Sequence, residues 1–479
     1  MPEQSNRVVT RGVSRVLLLA VLVTVGSLWL VGAAAADPRD GFAGSGTEAD
    51  PFVVTTVEEL ERIDDLETYR EDELDVEAFH YVLGNDIDAS ETSAWEGGAG
   101  FEPIGDRRDA ALTGTFDGRN HTISNLHITR PSEEYVGLFG YSEGEIKNVS
   151  LETVSIVGDG EVGAIVGRNG EEGVVEDVSI SGEIKGIDRR IGGAVGRNEG
   201  EVSAVGVVGD VESTDREIGG LIGQNHGAVD RSYFVGTVGG ERDIGGVIGT
   251  NQGSLRSAFA AGTVEGDRRI AGVVGTNDGA VSQVYSLATV EGERDVAGIG
   301  GSNAGTVSNA YSAGTIDGDR RVAAAVATTD GIVEDVYWDL EATGQHDAFD
   351  DDDGNQDDVS GLEPWELTGE NATRHATLDF DSTWTVTETY PRLGWEDDRN
   401  VPAAVYDLEV QTEPPEPESE SETSADDSAD DGGLLSMSTL WAGLGLLLLG
   451  IVAGSGFYAY RRLGGDEPDE SNGQRRRRY

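Results

Sequence analysis

Apolar and polar positions along the middle of this chain alternate on a short scale and repeat on a long one. In IGGVIGTNQGSLRSAFAAGTVEGDRR (244–269), Ile244, Gly246 and Ile248 share one face of an extended segment, and Leu255, Ser257 and Phe259 share another. Period-two alternation rich in Val, Ile, Thr and aromatics predicts short strands. The intervening TNQG, AAG and EGDR are turn compositions. On the long scale, the last glycine of each phrase falls at Gly140, Gly167, Gly196, Gly223, Gly249, Gly275 and Gly301, then Ala327, and the final four steps are 26 residues each. Tyr233, Phe259, Tyr285, Tyr311 and Tyr337 move with the same spacing. Two independent columns with one period predict a solenoid.

Three strands and three turns in 26 residues make one coil of a β-helix. The expected fold is therefore all-β: a right-handed β-solenoid of about eight such coils over 135–340. Like positions in stacked coils lie about 4.8 Å apart, so the Ile/Val and aromatic columns are expected to form one continuous core. Asn198, Asn225, Asn251, Asn277 and Asn303, each two residues after its glycine, are expected to hydrogen-bond as a ladder at a corner. An open stack invites edge pairing, so both ends need closing. Residues 37–134 are expected to form an N-terminal cap and entry strands. Within them Thr56–Glu59 is a capping box, followed by Val57, Leu60, Ile63 and Leu66 at helical spacing. Residues 341–410, with Trp365, Trp384 and Trp395, are expected to close the other end.

The two ends of the chain add an address. Arg7, Arg11 and Arg15 precede an uncharged run ending in AAAA at Ala36, the pattern of a secretory signal peptide over 1–36. Residues 434–460 are apolar and long enough to cross a bilayer. Arg461 and Arg462 follow, placing the 461–479 tail inside. Between domain and membrane, 411–433 is rich in Pro, Ser and acid, the composition of an extended stalk. The expected location is the cell membrane, single-pass, with the bulk of the chain outside. There is no Cys, so disulfides do not stabilise the exported part.

Charge narrows the setting. The formal net charge is −56, and only Lys147 and Lys185 among the 34 basic residues are not Arg. Such an excess of acid destabilises a compact fold by self-repulsion. In molar salt the Debye length falls to about 3 Å and that penalty largely disappears. A halophilic source is the expected one. Nucleic acid is excluded as a partner, because phosphate binding needs clustered positive charge.

The units resemble GLUG repeats, on the strength of GGLIGQNHG (219–227) and VGLFGYSEG (136–144). The flanks GSGTEADPFVVTTVEEL (44–60), GTFDGRNHTISNL (114–126), YWDLEATGQ (337–345) and GLEPWELTG (361–369) resemble the segments that bracket such arrays in secreted prokaryotic surface proteins. The resemblance implies a haloarchaeal-type surface protein built on a scaffold rather than a defined activity. Related arrays occur in adhesins and beside IgA-cleaving zinc peptidases. The HExxH motif of such a peptidase is missing from this sequence.

Four features are candidates for chemistry. Arg216, Arg242, Arg268, Arg294 and Arg320 form a column in the turn before each phrase, preceded by Asp215, Glu241, Asp267, Glu293 and Asp319. This charged ridge either grips an acidic or sulfated glycan or neutralises itself from coil to coil. Acids on a β-helix also occur in polysaccharide lyases and hydrolases, but acid–base work needs two carboxylates in unlike environments, and a column of equivalent acids supplies the opposite. The acid-rich DAFDDDDGNQDD (347–358) could take Ca²⁺ through its oxygens, although Phe349 breaks the DxDxDG pattern; no other cofactor is implied. Asn120, Asn148 and Asn371 lie in N-x-S/T sequons. The expected function is non-catalytic: adhesion, or contact with surface glycans and with envelope or other-cell proteins. A carbohydrate-active enzyme and a purely structural envelope component are the alternatives.

Overall fold

The computed structural model describes residue 39 and residues 41–412, apart from 74–77, 107, 353, 400, 408, 409 and 411. The expected signal peptide, nearly all of the stalk, the membrane span and the tail lie outside the described residues. Among the described residues no helix is long and apolar enough to cross a membrane.

The architecture is a parallel β-solenoid of about twelve turns. One ladder runs through it from Phe52–Val54 and Tyr81–Leu83 to Ile332–Asp339 and Asn355–Leu362, every neighbour pair parallel. Among the described residues a second ladder of nine short strands runs from Phe139–Ser142 to Asp351–Asp352. The expected eight coils are thus the regular part of a longer stack. Three rungs precede them within 37–134, where the glycine phrase is absent. One follows them inside the acidic segment, where Asp351–Asp352 pairs with Thr328–Thr329 and Asn355–Leu362 pairs with Ile332–Asp339. That segment is therefore the last coil, not a free loop. Its Asp357 is exposed on the open edge of the sheet, where charge disfavours pairing with another strand.

Each regular coil turns at two corners occupied by non-glycine residues with left-handed backbone. One column is Glu161, Arg190, Glu217, Asp243, Arg269, Asp295 and Arg321; the other is Asp177, Ala204, Arg231, Ser257, Gln283, Asn309 and Asp335, with φ between 47° and 66°. Neither contains a β-branched residue, which this conformation strongly disfavours. The second column corrects the expected face assignment. The left-handed turn at Ser257 (φ 53°) resets the alternation. Leu255, Ala258 and Ala260 therefore point into the lumen, and Phe259 points out of it. Glycines serve where coils meet most closely: a Cβ on Gly246 would lie 2.2 Å from the carbonyl oxygen of Gly272 in the next coil.

The lumen is filled by aliphatic side chains from every coil, among them Ile218, Ile244, Ile270 and Val296 in register. The helix Val57–Glu73 closes its lower end. Thr56 accepts from the Glu59 amide at 3.3 Å, and Val57, Leu60, Ile63 and Leu66 join the same core. Two carboxylates hold the helix down. Asp64 accepts from the Gly105 amide at 2.9 Å, and buried Glu67 accepts from the Tyr81 hydroxyl at 2.7 Å and from Arg70. Burial pushes Asp64 up to about 6, against the lowering effect of the Gly105 amide.

Residues 341–410 do not simply close the upper end. After the last rung the chain doubles back along the outside of the stack as a strap. Arg399 reaches Asp177 at 2.7 Å, many coils below the strap's start, and a two-strand turn pairs Trp384–Thr385 with Arg392–Leu393.

Candidate functional site

The arginine column exists as a ladder: Arg216, Arg242, Arg268, Arg294 and Arg320 are in register on successive coils. The first four side chains are about two-fifths exposed, and Arg320 is exposed as well. Their nearest acids are loose partners: Glu217 for Arg216 at 3.9 Å, Glu241 for Arg242 at 3.9 Å, and Asp295 for Arg268 and Arg294 at 3.4 and 3.7 Å. The tight pairing is one position further on, in the left-handed corner column. Arg190 bridges Glu161 at 2.5 Å and Glu217 at 3.2 Å, Arg269 donates from Nη2 to Asp243 at 2.8 Å, and Arg321 contacts Asp295. Glu161, Asp243 and Asp295 are buried. The corner is a zipper of opposite charges, and the ridge beside it is an exposed fringe. Asp215 in the fringe is pushed up by burial first and then by its neighbour Asp188.

The asparagine column is structural. Each Nδ2 donates to the Oδ1 of the next asparagine at 2.8 Å, from Asn169 through Asn198, Asn225, Asn251 and Asn277 to Asn303, which donates to Thr329. Its members are fully buried or nearly so. Of the sequon asparagines, Asn120 is exposed, while Asn148 donates to Asp117 and Asn371 to the Trp365 carbonyl.

The aromatic column lies outside the lumen as a second core. Tyr233, Phe259, Tyr285 and Tyr311 stack at 5.3, 4.8 and 5.0 Å with rings within 9° of parallel. The strap covers them with Leu367, Leu378, Trp384, Tyr390 and Leu393. Every upper hydroxyl finds a strap partner or a neighbour of one. Tyr285 donates to Glu396, Tyr311 to the Pro391 carbonyl, and Tyr337 to Asp358. Glu396 also accepts from Tyr406 and from the Leu393 amide. Its burial pushes its carboxyl up, opposed by those donors, Tyr406 first.

Beside this seam, strap and solenoid enclose an open cleft of about 670 Å³. Its solenoid wall carries Asp230, Arg231, Arg256 and Gln283 from three successive coils; its strap wall carries Thr383 and Trp395. The Trp395 ring stacks 6.1 Å from Phe259 at 25°. Gln283 ties the walls together, accepting from Arg256 Nε and Ser257 Oγ at 2.9 Å each and donating to Thr383 at 3.2 Å. Arg231 pairs with Asp230 at 2.9 Å. The 26-residue periodicity does not foreshadow this cleft, because half of it comes from an aperiodic segment. One signal was available: a hydroxyl on four of five aromatic positions demands polar partners that an aliphatic lumen does not offer.

No family profile matches the chain. It is 40% identical to halomucin of Haloquadratum walsbyi over 159 residues, 32% of this chain and 2% of that protein. It is 33% identical over 142 residues to a candidate Gly-rich membrane protein of Evansella cellulosilytica, covering 29% of this chain and 15% of that one. The chain thus spans a small part of either relative. Among solved structures, a candidate immunoglobulin A1 protease from Bacteroides ovatus aligns over 74% of this chain and 94% of its own, with 16% identity and a TM-score of 0.39.

Chemically, the cleft offers an aromatic face, two guanidinium groups, amide and hydroxyl groups and a single carboxylate, which is already paired. That set is suited to holding a polar ligand. Among the described residues the cleft lining holds one carboxylate, whereas glycosidic acid–base chemistry uses a pair in unlike environments.

Proposed function

We propose that this protein is a non-catalytic cell-surface β-solenoid, held by one C-terminal membrane span in a halophile's envelope, that contacts glycans or envelope components of its own or neighbouring cells. The observation that carries the reading is the arrangement of its ionisable groups: the corner acids are consumed in coil-to-coil pairs, and the cleft holds one carboxylate. The signal-like start and the 434–460 apolar run support an exported, anchored chain. Likeness to halomucin and to a protein named for its membrane association supports the same place. The GLUG-like phrases and the strongly acidic composition fit a haloarchaeal surface scaffold.

The test is a glycan array probed with the purified full chain in molar salt, followed by analysis of the bound sugars for new reducing ends or unsaturated products. Binding without product supports the proposal. Product formation favours a carbohydrate-active enzyme, and the absence of both leaves a structural envelope component.

A further inference from the structure

Building on the surface-contact reading, we infer that the cleft between strap and solenoid is a binding site for an anionic saccharide, one bearing a carboxylate or a sulfate. The volume, about 670 Å³, lies within the roughly 300–1,000 Å³ typical of small-ligand sites. Its two walls supply complementary recognition. Trp395 gives the strap wall an indole, whose apolar face suits the C–H face of a pyranose ring. The solenoid wall gives Arg231, paired with Asp230, and Arg256, whose charge no carboxylate of the cleft lining offsets. A negatively charged ligand is therefore favoured here over the surrounding surface.

Arg256 is the anchor. It is exposed, and its Nε is engaged by the Gln283 side chain at 2.9 Å, which orients the guanidinium. Gln283 is itself held by Ser257 and Thr383. Among the described residues the Arg256 side chain is held through Nε, by Gln283, and not by an ion pair. A guanidinium fixed through one nitrogen is prepared for the paired hydrogen bonds that carboxylates and sulfates accept. Because Thr383 and Trp395 belong to the strap, the site is complete only while the strap is docked.

The test uses the full chain in molar salt, titrated by calorimetry with digalacturonate, a sulfated disaccharide and neutral cellobiose. At least one anionic sugar should bind ten-fold or more tightly than cellobiose, and the stronger of the two identifies carboxylate or sulfate as the source. Arg256→Ala, a change at an exposed side chain, should remove that preference. Trp395→Ala should weaken all three sugars ten-fold or more, and Trp395→Phe should recover part of the loss with the strap still protected from protease. Equal affinity for all three sugars, or unchanged binding in Arg256→Ala with glycan-array binding intact, would overturn the cleft while leaving the surface reading standing. In the latter case Arg268→Ala/Arg294→Ala/Arg320→Ala would locate the contact on the ridge. Absence of glycan binding by any surface would sink both.

Discussion

The lumen and the aromatic seam are two cores of one molecule, built on opposite principles. In the lumen, Ile218, Ile244, Ile270 and Val296 repeat coil by coil, and the stability of such an array is close to a sum of nearest-neighbour terms. In the seam, five aromatic rings on five coils are covered by one aperiodic segment of chain. A loss in the lumen is therefore felt locally, whereas a loss in the seam loosens a segment that touches many coils at once. The comparison also teaches how to read a periodic column. Aliphatic residues repeat where only neighbours of their own kind are met; hydroxylated aromatics repeat where something else must cover them.

The sharpest way to break the comparison is at the corner zipper. Arg269→Ala strands the buried Asp243 without its ion-pair partner, and a loss of about 3–5 kcal/mol in urea unfolding is expected. In the lumen, Ile248→Ala should cost about 2–5 kcal/mol, read as faster hydrogen exchange in its own and the adjoining coils than in distant ones. In the seam, Trp384→Ala should instead expose the strap to limited proteolysis while far-ultraviolet circular dichroism retains the β signal. Simultaneous loss of strap and stack would mean that the two cores are one cooperative unit.

Titration sharpens the contrast by a smaller amount. Asp64 is raised by burial to about 6 in the folded chain. The native state thus binds its proton more tightly than the unfolded one, and the associated stability is full at acidic pH and lost as pH rises through 6. Hydrogen exchange at the Val57–Glu73 helix should accelerate over that window. Asp64→Asn should flatten the dependence by an amount on the order of 1–3 kcal/mol. Glu396, also raised by burial, should weaken strap protection in the same direction as pH rises above the ordinary carboxylate range. The smallest effect is expected at the fringe: Arg294→Ala should change unfolding by less than about 0.5 kcal/mol, as exposed and loosely paired charges usually do.

The 26-residue period announced the solenoid, the Asn ladder and the arginine register, because each depends only on like positions stacking. It did not announce the first three rungs, where Phe52–Val54, Tyr81–Leu83 and Thr115–Ser124 are separated by long connections without the glycine phrase. Nor did it assign faces correctly beyond Ser257, since a single residue with left-handed backbone inverts the alternation and no residue type there compels it. The cleft was invisible for a third reason. Trp395 and Thr383 meet Arg256 and Gln283 across 100 residues or more, through a fold-back that follows no repeat.

The strap is tied to the stack at both ends, by Arg399 to Asp177 below and by the Tyr337–Asp358–Thr377 cluster above. A tether of set length between two fixed points works as a ruler. Inserting one more 26-residue unit between those points would lengthen the span by about 4.8 Å and pull one of the ties apart. Between Asp177 and Tyr337 the strap thus holds the number of coils to its present value.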